Sequence, residues 1–281
     1  MGWQGHLALH YRADQGRTTA LDRHHGPLRV LQRLYPEGDA VCHHVLVHPP
    51  GGIVGGDSLA VDMQLDPGSH ALITTPSATR FYRSGGEPAT QTVRANIAPG
   101  ARLEWLPLET IAYRGCLAEN RLQFELPEGA QMMGIDVLAL GLPAAGDHFE
   151  RGCITQELAL PGRWLERGRI DGQDTLLRQS PVGLAGHGVM GLLWLADGAP
   201  LARERREALL DSARSLLEAP ADAATDTPVL AGVTALDDGL LVLRALGHQV
   251  EPVMRLLHRV WAQWRPLHWG LAPCPPRIWR L

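Results

Sequence analysis

The chain has 281 residues and a formal net charge of −4, with a sequence pI of ≈ 6.3. Its 45% hydrophobic and 20% charged residues are those of a globular protein long enough for a sizeable core. The acidic balance excludes nucleic acid as the main partner, because neutralising phosphates takes a basic surface. All 26 basic residues are arginine, which forms planar bidentate contacts suited to protein interfaces.

The N-terminal "MGWQGHLALHYRADQG" has no basic start followed by an apolar run, so no signal peptide is expected. No apolar run is long enough to span a membrane. The four cysteines, Cys42, Cys116, Cys153 and Cys274, form no C-x-x-C pair and match no common zinc framework. They read as reduced thiols of a cytoplasmic protein.

From about Gly5 to Leu195 the pattern is strand-like. "VCHHVLVH", "SLAVDMQL", "HALITT", "TQTVRANI", "RLEWLPL", "RLQFEL" and "QMMGIDVLAL" are short β-branched, aromatic or alternating runs. Three Pro–Gly turns launch new strands, with Pro67, Pro99 and Pro127 at intervals of roughly thirty residues. That spacing predicts a mainly β fold, a β-helix-like stack of short strands, with hairpins as the simpler alternative.

Two helices are expected towards the C-terminus. "LARERREALLDSARSLLEA" carries Leu209, Ala213, Leu216 and Leu217 at helical spacing. "PADAATDTP" after it reads as an exposed loop. "EPVMRLLHRVWAQWR" carries Val253, Leu256, Leu257, Val260, Trp261 and Trp264 on one stripe, with Pro252 tolerated in the first turn. The Pro-rich tail "LAPCPPRIWRL" cannot continue a helix. The chain is thus expected to be one domain, β-rich over 1–195 and helical with a tail over 200–281.

The stretch "HPPGGIVGGDS", residues 48–58, nearly fits the phosphate-loop pattern, but Asp57 stands where the lysine belongs. A carboxylate there repels phosphate, and the following "LAVDMQL" alternates as a strand rather than opening a helix. Two readings remain for Gly51, Gly52, Gly55 and Gly56: a glycine-shaped turn that Asp57 caps, or a frame that presents Asp57 to a ligand.

"HPPGGIVGGDSL", "LITTPSATRFYRS", "LEWLPLETIAY" and the final "PPRIW" together resemble the urease accessory protein D family, also called the H protein. Weaker similarity runs through "GIDVLALGLPAAGDHFERG", "SPVGLAGHGVMGLL" and "DDGLLVLRALG". Asp136 stands where the family commonly has a glutamate, and His148 replaces a frequent glutamate.

The resemblance implies a non-enzymatic scaffold of mainly β structure that helps load nickel into apo-urease. It implies two accessory partners, the F protein and, through it, the G protein, a GTPase. It also implies an internal water-filled passage for transient Ni²⁺, with no tightly bound cofactor.

A conduit binds its ion weakly at several points, and Ni²⁺ accepts carboxylate, imidazole and water ligands. The family-matching polar residues Asp57, Glu109, Glu104, Asp136, Thr74, Thr75 and Ser77 are passage candidates. Each has a simpler role open to it. Asp57 can cap its turn, Thr74 and Thr75 can be ordinary strand residues, and Glu109 can pair with Arg80, Arg83 or Arg114. In "RLEWLPLET" Glu104 lies between Leu103 and Trp105 and so faces away from one apolar layer.

His44 and His48 share a strand face and are candidates for transient metal contact; satisfied or surface histidines are the alternative. Arg277, Ile278, Trp279 and Trp264 are candidates for a partner interface, the alternative being a tail tucked against the body. Two rival functions are a nickel-binding metallochaperone acting alone and a small-molecule acid–base enzyme. Against the enzyme, no G-x-S-x-G elbow, H-E-x-x-H helix or cofactor fingerprint is present.

Overall fold

The computed structural model describes residues 2–142, 145–218 and 227–280. Most of the loop expected at 220–228 lies outside the described residues. The fold is mainly β, two sheets stacked as a solenoid and covered on one side by helices.

The stack is built from repeated strand–turn–strand units. β5 (Ser58–Leu65) leads through a Pro–Gly turn into β6 (His70–Thr74). β8 (Ala89–Ile97) leads into β9 (Arg102–Trp105), and β11 (Leu117–Glu125) into β12 (Gln131–Leu142). In one sheet Ser58 lies opposite Thr90, and Ala89 opposite Ala118. In the other His70 lies opposite Arg102, and Arg102 opposite Gln131. The same two offsets recur in both sheets, so each unit is one parallel rung, and the roughly thirty-residue spacing of Pro67, Pro99 and Pro127 is the length of a coil. Gly68, Gly100 and Gly129 take positive φ of 78°, 77° and 82° at the same corner of successive coils. Glycine adopts that conformation without a Cβ penalty, and Gly100 N–H donates to the Gly129 carbonyl at 2.8 Å, tying one corner to the next.

The first sheet runs β15-β14-β11-β8-β5-β1-β2, where β1 is Gln4–Asp14, β2 Arg17–His25, β14 Cys153–Leu160 and β15 Trp164–Asp171. Its strands alternate buried and exposed, because one face meets solvent. The second runs β17-β18-β16-β12-β9-β6-β4-β3, with β3 Arg29–Val30, β4 Val41–Val47, β16 Val189–Asp197, β17 Leu230–Asp237 and β18 Leu240–Gly247. β6 and nearly all of β4, β12 and β16 are continuously buried, because this sheet is covered on both faces. Three short strands join it off the main path: β7 (Thr79–Phe81), β10 (Thr110–Ala112) and β13 (Asp147–His148).

Two cores result. Leu65, Val93, Leu103, Trp105, Phe124 and Trp194 fill the space between the sheets. Leu72, Met133, Ile135, Leu193, Leu257 and Trp261 fill the space between the second sheet and the helices. The period-2 alternation of β12 therefore sends Met132 and Leu138 to one core and Met133, Ile135 and Val137 to the other.

α2 (Arg203–Glu218) and α3 (Val250–Trp269) are the two helices expected, and a short α1 (Thr175–Gln179) precedes them. The hairpin β17–β18 lies between α2 and α3, in a stretch that the sequence marked as helix and tail. Its strand β18 is buried, and it extends the second sheet beyond β16. Among the described residues no helix is long and apolar enough to cross a membrane.

Candidate functional site

Polar side chains interrupt the apolar space between the sheets along one line. Gln91 on β8, Asn120 on β11 and Gln156 on β14 are register partners in three adjacent strands. Parallel in-register stacking aligns them as a ladder on one face. Gln91 Nε2 donates to Asn120 Oδ1 at 3.2 Å, and Asn120 is 2% exposed. Across the gap, Asp136 projects from β12 on the side that carries Met132 and Leu138. Gln156 Nε2 donates to Asp136 Oδ2 at 3.2 Å and so bridges the two sheets.

Two separate cavities flank this line. The larger, about 560 Å³, reaches from Asn120, Asp136 and Gln156 to Glu157, Glu166 and Arg244. Its rim holds two ion pairs, Arg244 with Glu166 and Arg167 with Glu157. The smaller, about 90 Å³, reaches from Asn120 and Asp136 to Thr75, Ser77, His48 and Gly51. Asn120 and Asp136 line both.

The Asp136 carboxyl is pushed up to about 6, chiefly by burial; the Gln156 hydrogen bond pulls it down and the Glu166 charge raises it further. Its proton is therefore exchanged near neutral pH. One carboxylate among neutral amides can contact a cation without enclosing it. His48, at the other end of the smaller cavity, is held below the usual imidazole range by burial and so favours its neutral, metal-accepting form.

Of the residues singled out from the sequence, Asp136, Thr75, Ser77, His48 and Gly51 come together around this pair of cavities. Thr75 also has a structural task, since its hydroxyl accepts the Leu108 N–H at 3.0 Å. The other candidates are placed elsewhere.

Asp57 is 7% exposed and both its oxygens are engaged: Oδ1 accepts the Trp3 N–H at 2.8 Å and Oδ2 the Val54 N–H at 3.0 Å. That is the capped-turn geometry. The glycines around it permit close approach. A Cβ on Gly52 would lie 2.0 Å from the Tyr82 ring, and one on Gly55 would meet Ser84 and the Glu87 carbonyl.

Glu104 is fully buried on β9 and faces the helices. It accepts from His70 Nε2 at 2.8 Å, Trp261 Nε1 at 2.7 Å and Arg265 Nε at 3.1 Å. Burial alone would raise its carboxyl, but the His70 hydrogen bond, the His70 and Arg265 charges and the Trp261 hydrogen bond outweigh it and hold the group low. Thr74 is buried at the end of β6 and its hydroxyl accepts the Trp279 indole N–H at 2.9 Å. Glu109 lies outside both cavities; burial raises its carboxyl, the Glu251 charge adds to the rise, and Arg80 opposes it.

His44 and His48 are not brought into one cluster. His44 is fully buried, hydrogen-bonds through Nδ1 to the Tyr11 hydroxyl at 2.7 Å, and is lowered by burial to about 4. Trp264, expected at a partner surface, is likewise internal. It is fully buried, and its indole N–H donates to the Leu209 carbonyl at 2.9 Å, fixing α3 to α2. An apolar helical stripe facing a covered sheet becomes core. In the tail, Trp279 and Ile278 are half-buried and Arg277 is exposed.

Asn120, Gln91 and Gln156 were not singled out from the sequence, because isolated amides carry no motif. Their signal was positional: Gln91 and Asn120 recur at the spacing of one coil, so aligning the coils stacks them.

The chain matches the model of the UreD urease accessory protein family over residues 4–280. It is 61% identical over 282 residues to the urease accessory protein UreD of Leptothrix cholodnii, covering 100% of both chains. It is 54% identical to the UreD of Variovorax paradoxus over 279 residues, covering 99% of each, and 53% identical to that of Methylibium petroleiphilum over 299 residues, covering 100% of each. Matched from end to end by the family model and by these relatives, the chain belongs to the UreD family of urease accessory proteins.

Proposed function

We propose that this urease accessory protein acts as a non-catalytic scaffold which, with the F and G accessory proteins, delivers nickel to apo-urease through the space between its two sheets. The observation that carries the reading is that Asn120 and Asp136 line both cavities, one on either side of them. A carboxylate between apolar sheets is costly unless hydrated or paired, and water in the passage lowers that cost.

Ni²⁺ is the cargo. Along the line it meets imidazole at His48, hydroxyl at Ser77, amide and carboxylate at Asn120 and Asp136, then the carboxylates Glu157 and Glu166. No one of these points closes a coordination shell, so the ion can leave each. The GTP chemistry lies with the G protein, in keeping with the absent phosphate-loop lysine. The protein works in the cytoplasm and holds no cofactor of its own.

The test is urease activation in cells that lack their own D protein but contain nickel and the other accessory proteins, with nickel counted per urease active site. The wild-type chain restores loading. Asn120→Leu, which puts an apolar side chain between the two cavities, lowers loading at least tenfold while F and G still co-purify. Full loading by a folded Asn120→Leu protein would rule the passage out and leave the scaffold role standing.

A further inference from the structure

On the opposite side of the second sheet, three potential metal ligands converge where the tail meets the body. Glu37 precedes β4, His43 lies within it, and Cys274 sits between Pro273 and Pro275 in the tail. One ligand atom from each lies within 4.8 Å of the others. Among the described residues this is the one such group of three. None of the three lines either cavity, so the cluster is independent of the passage.

The surroundings orient the group. His43 Nε2 hydrogen-bonds Glu37 Oε1 at 2.6 Å. The other Glu37 oxygen pairs with Arg265 Nη2 at 2.7 Å. Arg265, fully buried, also pairs with Glu104 and donates to the carbonyl of Ala272, two residues before Cys274. One guanidinium thus positions a carboxylate ligand and the tail segment that carries the thiol. Such outer contacts fix ligand direction in metal sites.

We propose that Glu37, His43 and Cys274 form a binding site for a divalent borderline transition cation of the nickel–zinc class, which clamps the C-terminal tail to the body. An oxygen, an imidazole nitrogen and a sulfur suit that class and not Mg²⁺ or Ca²⁺. On binding, the Cys274 thiol proton leaves to solvent, and His43 coordinates as the neutral imidazole through Nε2 with its proton on Nδ1. Donor distances of about 2.0–2.3 Å require Glu37 and His43, in contact at 2.6 Å, to part slightly and Cys274 to adjust so that all three face the ion. The Cys274 segment, which has no regular secondary structure, supplies that movement. Ala272, Pro273 and Pro275 around Cys274 are exposed, so water or a partner can reach this segment.

The test is titration of the reduced full-length chain with Co²⁺, read by thiolate-to-cobalt charge-transfer absorption, followed by displacement with Ni²⁺. The wild-type chain gives one equivalent of the band, and Ni²⁺ abolishes it. Cys274→Ser removes the band, and Glu37→Gln raises the cobalt Kd by roughly tenfold or more. Circular dichroism of each variant confirms the fold, and Cys153→Ser, at the other partly exposed thiol, leaves the band unchanged. Absence of the band in the wild-type chain, or its persistence in Cys274→Ser, overturns the site. Neither outcome touches the passage, which is read by urease loading in the Asn120 variant.

Discussion

The indole of Trp279 lies flat on the imidazole of His258, with ring centroids 3.8 Å apart and planes 3° from parallel. The same indole meets Trp261 edge-on at 5.7 Å and donates its N–H to Thr74. The tail is therefore docked across α3 and the end of β6, and its last aromatic residue is part of the folded body. Trp279→Ala should cost about 2–3 kcal/mol, less than a fully buried tryptophan because the ring is half-buried. Urea unfolding checks this. Arg277→Glu, at an exposed position, should leave stability within about 0.5 kcal/mol. If the tail contacts the F protein, that variant loses co-purification without losing fold.

Glu104 separates structure from metal handling. Glu104→Gln leaves the Arg265 guanidinium buried with only Glu37 as its counter-charge. Because Arg265 keeps Glu37, the cost is that of weakening the hydrogen bonds Glu104 accepts, about 1–3 kcal/mol. Thermal unfolding should show that loss, and any defect in urease activation should track the amount of folded protein. A fully stable Glu104→Gln variant would contradict the anchoring role.

Asp57 permits a sharper comparison. Asp57→Ala strips acceptors from two backbone N–H groups, of Trp3 and Val54, at about 1–3 kcal/mol for each group left buried and unsatisfied. Asp57→Asn keeps one acceptor oxygen and should lose about half as much. A stable Asp57→Asn protein that still loads urease identifies the residue as a turn cap. A stable one that fails to load urease identifies its charge as functional.

Stability should also depend on pH with opposing contributions. His44 and His258 are each lowered to about 4 from 6.5 by burial, with the Arg33 charge adding to the effect at His44. Such groups stabilise the fold above 6.5, and the contribution is lost as pH falls from 6.5 towards 4. Between pH 7.5 and 5 each should remove about 1–2 kcal/mol. His258→Phe keeps a ring against Trp279 and should remove one share of that loss. Asp136 has the other sign: raised from 3.8 to about 6, it destabilises the fold once ionised and relieves it as pH falls through 6. Asp136→Asn should therefore gain about 2 kcal/mol at pH 7.5 and nothing near pH 3. Denaturant midpoints at the three pH values decide it.

The sequence by itself determined the coil length, the strand class and the two principal helices. These rest on local rules: Pro and Gly set turn geometry, and apolar periodicity follows from the pleat of a strand and the pitch of a helix. It also determined the family, through contiguous motifs, and the direction of Glu104, through alternation with Leu103 and Trp105. The tertiary structure alone decided which polar residues meet. Gln91, Asn120, Gln156 and Asp136 sit in four strands, and only the parallel register of the coils brings them together. It also decided that Glu104, Thr74 and Trp264 serve the core, and that Glu37, His43 and Cys274 converge although Cys274 lies more than two hundred residues away in the chain. Strand register and helix docking are set by summed burial over the whole fold, and no short stretch of sequence contains that sum.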